Sequence, residues 1–380
     1  MQKEVLIFID WYLPGFRGGG PIRSIYNLVN MLKGELKFSI FTRDTDYLES
    51  NPYPNIVSDK WIDLDDKIRV YYASNHALSR KLIAHIIEEE AYDVIYLNSI
   101  FSKYFSIIPL FLLRGKKNRK VIVAARGMLS KGSIHTKKIK KSLFLGAARI
   151  FGLFDGVTFQ ASSEAEEADI KKHFGKNVNV KLAPVLTCVI SNETQLKRTK
   201  ISGSARMINI ARISQEKNLL YALKILREVK GEIEFDIYGS IYNEKYWKDC
   251  KLLIDTMPDN VIVKYKNVIE PDKINSTFHK YHFMLLPTTG ENFGHIIFES
   301  LASGCPVLIS DQTPWKNLLE QGVGWDISLG NRSIYVNRIE QCIGMDQQEY
   351  DEMSKRALSY SLQKAENQQA LTQNLELFST

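Results

Sequence analysis

Short apolar runs alternate with amphipathic stretches along nearly the whole of this 380-residue chain, and they do so in two successive series. VLIFID (5–10), FSIFT (38–42), DVIYLN (93–98), KVIVAA (120–125) and VTFQAS (157–162) read as strands buried on both faces. Between the first two lies IRSIYNLVNMLKG, with Ile22, Ile25, Leu28, Val29 and Leu32 at helical spacing. MINIA (207–211), EFDIYG (234–239), NVIVKY (260–265), HFMLLPT (282–288) and PVLIS (306–310) repeat the pattern. Two βαβα series predict an α/β protein with two doubly wound parallel sheets. A polar, aperiodic stretch at 187–204 is the expected linker between domains at 1–186 and 205–354. From about 347 to 378 runs one long helical pattern, and its 355–380 end is expected to cross back onto the first domain.

At 44% hydrophobic and 24% charged, the composition excludes disordered, collagenous and disulfide-scaffold classes. Cys188, Cys250, Cys305 and Cys342 are far apart, with no CxxC and no histidine at ligand spacing, so neither zinc nor a disulfide framework is expected. The opening MQKEVLIFID reads as a strand and not as a signal segment, and YFSIIPLFLL (104–113) is too short to span a bilayer. These features fit a cytoplasmic protein. The net charge of +7 is uneven: residues 1–200 carry 31 Lys/Arg against 20 Asp/Glu, whereas 201–380 carry 19 against 23. Within 101–150 there are 13 basic residues and no acidic one, a field that suits an anionic partner or simply a solvated face.

Three segments carry chemistry. PTTGENFGHIIFESLASGCPVLIS (287–310) reads as strand end, loop, short helix capped by Gly304, and strand. Amides near Asn292 to His295 would face the open end of a sheet at a helix N-terminus, where an anion is favoured. Glu291 and Glu299 beside that point could accept hydroxyls from a sugar and a ribose. Two glutamates eight apart are weak evidence alone; Gly290, Phe293–Gly294, Ser300, Ala302, Gly304 and Pro306 around them make the signal specific. In INIARISQEKNLLYALKIL (208–226), Arg212 and Lys217 lie at the mouth of a sheet, as suits a diphosphate. WYLPGFRGGGPIRSIYNLV (11–29) places three glycines before a helix, and is neither GxGxxG nor a P-loop.

Together these segments resemble the retaining glycosyltransferases of family 4, which have the GT-B fold. YLPGFRGGGPIRS, ARGMLS (125–130), QASSEAEEADI (160–170), YGSIYNEKYW (238–247) and SDQTPWKNLLEQGVGWDI (310–327) are similar to a bacterial subgroup that builds surface polysaccharide such as O-antigen or capsule. The resemblance implies two facing Rossmann-like domains, a nucleotide-sugar donor (UDP- or GDP-sugar) as co-substrate, and no further cofactor or metal. It implies that Arg212 and Lys217 bind the donor diphosphate, that Glu291 binds the transferred sugar and that Glu299 binds the ribose. Phe293, Gly294 and His295 would offer backbone amides, and Gly19 and Gly20 would approach the diphosphate. Acceptors would be saccharides or polyprenyl-diphosphate-linked saccharides at the inner face of the cytoplasmic membrane.

Where many members of that family carry a histidine after the fourth strand, this chain has Asn98 and Ser99, candidates for the acceptor side or cleft; Arg126 is a candidate for the acceptor side or the donor diphosphate, or a cation of a surface loop. His135, among lysines, reads as solvated. The stretch 131–149 sets Lys137, Lys138, Lys140 and Lys141 before apolar residues, as a helix at an anionic membrane or one packed on the sheet would. A sugar-nucleotide 2-epimerase on the same architecture is the rival enzyme class. Nucleic-acid binding is not expected, because the lysines are not interleaved with aromatics.

Overall fold

The structure, a computed structural model, describes residues 2–116, 119–135, 138–187 and 198–379. Cys188 and most of the expected linker (188–197), Lys137, and the side chains of His135 and Lys138 lie outside the described residues. The chain forms two compact units, residues 1–188 with 367–380, and residues 189–366.

The first unit holds an eight-stranded sheet of β1 (Lys3–Phe8), β2 (Leu36–Arg43), β3 (Trp61–Asp63), β4 (Ile68–Ala73), β5 (Val94–Leu97), β6 (Lys120–Ala124), β7 (Thr158–Ala161) and β8 (Val180–Leu182). Its order is β3-β4-β2-β1-β5-β6-β7-β8, parallel throughout except for β3 against β4. Strand β1 shows why the runs are continuous in sequence. Val5, Ile7 and Ile9 enter one core with Ile25, Leu28 and Val29 of the helix Gly20–Leu32, while Leu6 and Phe8 enter another with Ile95 and Phe105. Both faces are covered, so no polar alternation survives.

The second unit holds β9 (Ser204–Ile210), β10 (Glu232–Tyr238), β11 (Val261–Tyr265), β12 (Phe283–Leu286), β13 (Val307–Ser310) and β14 (Gly324–Ile327), all parallel, in the order β11-β10-β9-β12-β13-β14. Met207 and Ile208, neighbours on β9, again enter separate cores. Both sheets are doubly wound, as the sequence predicts. The strand order reverses between β1 and β5 and between β9 and β12, and the crevice beyond the strand ends at such a reversal is where open α/β sheets bind ligands.

Two features differ from the sequence pattern. Strands β3, β4, β8 and β14 extend the sheet edges; three of them are only three or four residues long, too short to show a period. The long helical tail is two helices, Gln347–Ala365 and Gln368–Phe378. The break falls at Asn367, whose side chain accepts the Ala370 amide and so restarts the helix as its cap. The last helix joins the first unit, with Leu377 and Phe378 buried beside Phe38 and Tyr96 and the Asn374 amide donating to Pro184 O at 2.8 Å.

Candidate functional site

In the second unit the loops that leave β9 and β12 meet at the reversal of strand order. Three contacts fasten them. The Thr289 amide donates to Glu216 O at 2.8 Å, the Asn218 side-chain amide donates to Pro287 O at 3.0 Å, and Lys217 Nζ lies 2.6 Å from Glu291 Oε1. Asn218 adopts the left-handed conformation (φ 58°) that turns the chain into the helix Leu219–Leu226, which sets Lys217 at the helix mouth. The Lys217 and Glu291 side chains keep only 12% and 15% of their surface exposed, so this charge-assisted bond is weakly screened and holds both groups in place. It leaves two ammonium donors and the second carboxylate oxygen for a ligand.

Arg212 leaves the same strand end and stacks its guanidinium 5.7 Å from the ring centroid of Tyr242. Among the described residues it has no acidic partner. The Arg212 loop is pinned by bonds from Ala211 N to Tyr238 O and from Ile213 N to Ser240 O, both 2.9 Å. Gly239 makes that approach possible: a Cβ there would lie 1.9 Å from Ala211 O.

Gly294 caps the helix His295–Ala302. The Phe293 and Gly294 amides have no protein acceptor among the described residues, so the helix start presents open donors. Trp315 Nε1 donates to Phe293 O at 2.5 Å, and the His295 ring lies 4.9 Å from that of Phe293. Glu299 sits half-buried further along the same helix. The structure thus brings Lys217 and Glu291 into contact and puts Phe293, Gly294, His295 and Glu299 on one loop and helix. Arg212 shares the Lys217 segment but touches Tyr242 instead.

In the first unit, Asn98 follows β5 and Arg126 follows β6 with φ 50°. Arg126 Nε donates to Asn98 Oδ1 and its Nη2 to Tyr96 OH, each at 2.7 Å; Tyr96 in turn donates to Gln160. Asn98 is 3% exposed, yet its Nδ2 has no partner among the described residues. Ser99 is engaged elsewhere: its hydroxyl accepts the Ser102 amide at 3.2 Å and its carbonyl accepts from Ser106. Gly19 and Gly20 are exposed at the start of the helix Gly20–Leu32. A Cβ on Gly19 would meet nothing, so its need for glycine is its φ of 72°. Asp46 ties the loop down by accepting the Phe16 and Arg17 amides at 2.9 and 3.2 Å.

Several residues of these arrangements are not singled out as candidates by the sequence: Tyr242, Gly239, Asn218, Tyr96, Gln160 and Asp10. Asp10 follows β1, accepts from Ser102 Oγ at 2.8 Å, and has its pKa raised by burial against the opposing effects of Ser102 and Arg43. An acid at the end of an otherwise apolar first strand was its one visible signal. Among the described residues no group of three or more His, Cys, Asp or Glu could hold a metal ion, and no helix is long and apolar enough to cross a membrane.

Residues 191–360 match the family model described as Glycosyl transferases group 1, which spans nearly all of the second unit. The whole fold is similar to that of Anabaena Alr3699/HepE in complex with UDP-glucose, with a TM-score of 0.71, 17% identity and 99% of each chain covered. The second unit is therefore similar to the group 1 glycosyl transferases, and the chain has the GT-B fold. Among curated relatives, a D-inositol 3-phosphate glycosyltransferase of Pseudarthrobacter chlorophenolicus is 25% identical over 43% of this chain and 39% of its own length. An uncharacterized 41.2 kDa protein in the cps region of Klebsiella pneumoniae is 23% identical over 64% of this chain and 66% of its own. The chain spans less than two thirds of the length of these relatives.

Proposed function

We propose that the protein is a retaining, metal-independent hexosyltransferase. It moves a sugar from a nucleoside diphosphate sugar to a saccharide or polyprenyl-diphosphate-linked saccharide in bacterial surface-polysaccharide assembly, at the cytoplasmic face of the membrane. The observation that carries this reading is the Lys217–Glu291 contact at the strand-order reversal, flanked by Arg212 and the open Phe293 and Gly294 amides.

Departure of a nucleoside diphosphate develops negative charge on phosphate, and preorganised cations and amides stabilise it without reorganising. Lys217 and Arg212 supply two fixed positive charges. Glu291, held by Lys217, accepts hydroxyls of the transferred sugar and fixes the anomeric carbon relative to the phosphates. Glu299 accepts from the ribose, Gly19 and Gly20 give backbone close access to the diphosphate, and Asn98 with Arg126 serves the acceptor. The UDP-glucose held by the Anabaena protein supports UDP as the nucleotide, and the cps-region relative supports a polysaccharide pathway.

A thermal-shift screen with UDP, GDP, ADP, CMP and their sugar conjugates tests the donor site. One nucleotide family should raise the Tm, and Arg212→Ala should remove the shift. Stabilisation that survives in Arg212→Ala, or none with any nucleotide at millimolar concentration, would overturn the assignment.

A further inference from the structure

The helix Lys138–Ile150 of the first unit has two apolar faces where a surface helix needs one. At about 100° per residue, Phe144, Leu145 and Ala148 share one side. That side is satisfied: Leu145 and Ala148 are buried in the core and Phe144 packs on it, edge-on to Phe101 at 5.6 Å. Ile139, Leu143 and Ile150 fall on the opposite side, with Gly146 between them, and are 76%, 69% and 82% exposed. Phe151, in the turn that ends the helix, is 62% exposed. Among the described residues no other stretch leaves so many large apolar side chains in solvent. Scattered single residues of this kind need no explanation; an aligned stripe does.

Charge says what the stripe meets. Lys140 and Arg149 are exposed on its two flanks, and the surrounding residues 101–150 contain no acidic side chain. We infer that this helix seats the protein on an anionic lipid bilayer, with Ile139, Leu143, Ile150 and Phe151 entering the acyl boundary and Lys140 and Arg149 lying among the headgroup phosphates. The interface accepts such a helix lengthwise, since its backbone bonds are already made and its apolar side leaves water. Basic residues beside it add attraction that salt weakens. A nucleic acid would use the cations but gain little from aliphatic side chains that offer no stacking face. Lys141 is not part of this surface, because its ammonium donates to Ser133 O at 2.7 Å and lies over the Phe101 ring.

The inference does not depend on the donor reading, since Lys217→Ala should bind vesicles as the unaltered protein does. Co-sedimentation with vesicles of phosphatidylglycerol and phosphatidylcholine, against pure phosphatidylcholine, tests it. The unaltered protein should favour the anionic vesicles by about tenfold or more, and less so at high salt. Both Ile139→Ser/Leu143→Ser/Ile150→Ser and Lys140→Glu/Arg149→Glu should lose about tenfold in partitioning, with the Tm unchanged because all five side chains are exposed. If the triple variant folds poorly, Leu143→Trp gives a second reading: its emission should shift to the blue when anionic vesicles are added. Equal binding to both vesicle types, full retention in the triple variant, an unmoved emission spectrum in Leu143→Trp, or polynucleotide binding in place of lipid binding would each overturn the inference.

Discussion

At the strand-order reversal of the second unit the polar groups are charged and meet in an ion pair, Lys217 with Glu291. At the corresponding reversal of the first unit a single guanidinium, Arg126, is held by neutral partners, the Asn98 carbonyl and the Tyr96 hydroxyl. The sheets share their central strand order, so backbone architecture does not set this difference. A site that must stabilise a leaving diphosphate needs fixed charges close to the reacting bond. A site that orients a neutral saccharide needs directional donors and acceptors, and one partly buried cation suffices to organise them. Under the proposed function the second unit would do the electrostatic work and the first would select.

The largest effect should come from breaking the charged side. Glu291→Ala and Lys217→Ala should each lower kcat by roughly 100- to 1,000-fold, the scale of losing one preorganised electrostatic group. Each leaves the partner's charge half-buried without its counter-ion, so the Tm should fall a little as well. Turnover of a nucleotide sugar with an acceptor extract, measured beside circular dichroism, separates the two effects. Full activity in either variant would mean that the pair is structural, and the contrast between the units would vanish.

Acid should separate the units next. His282 precedes β12, is 3% exposed, and accepts the Arg206 amide at Nδ1, 3.0 Å away. Burial, aided by the charges of Arg206, Lys200 and Arg198, lowers its pKa from 6.5 to about 4. The unfolded chain therefore binds the extra proton first. The stability this gives is complete above about pH 6.5 and is lost as the pH falls towards about 4, amounting to about 3 kcal/mol at most. Asp10 in the first unit acts in the opposite sense. Burial raises its pKa, so its ionisation opposes folding at neutral pH and acid relieves it. Between pH 7 and pH 5 the Tm of the second unit should fall, and His282→Asn should flatten that slope. An equal slope in the variant would place the acid sensitivity elsewhere.

The second unit was the more legible in sequence for a physical reason. Its candidate groups lie within two short loops, so Glu291 with the following helix and Arg212 with Lys217 show as local patterns. The first unit assembles its network from β5, β6 and β7, spread from Tyr96 to Gln160, and no local spacing reveals that Arg126 reaches back to Asn98 and Tyr96. Asn98 and Arg126 could be singled out one at a time, but not as partners. The buried strands were readable because both faces are apolar, whereas the short edge strands β3, β8 and β14 lacked the length to show a period. The tail read as one helix because a single capping asparagine, Asn367, interrupts an otherwise continuous pattern.

The smallest expected effect is also the one that best separates the two units. Asn98 is buried with its Nδ2 unpartnered among the described residues, and such a donor is costly unless something supplies an acceptor. An acceptor saccharide hydroxyl would do so. Asn98→Ala should therefore raise the acceptor KM by about tenfold, the worth of one neutral hydrogen bond, and leave the donor-induced thermal shift unchanged. Asn98→Asp sharpens the test. Its carboxylate would pair with Arg126 as well as the amide carbonyl does, or better, but it brings no donor. Stability should hold or rise while acceptor use falls as in the alanine variant. A purely structural Asn98 would give the reverse, with activity recovering along with stability in Asn98→Asp. Equal loss of donor and acceptor binding in Asn98→Ala would show that the two units do not divide the work in this way.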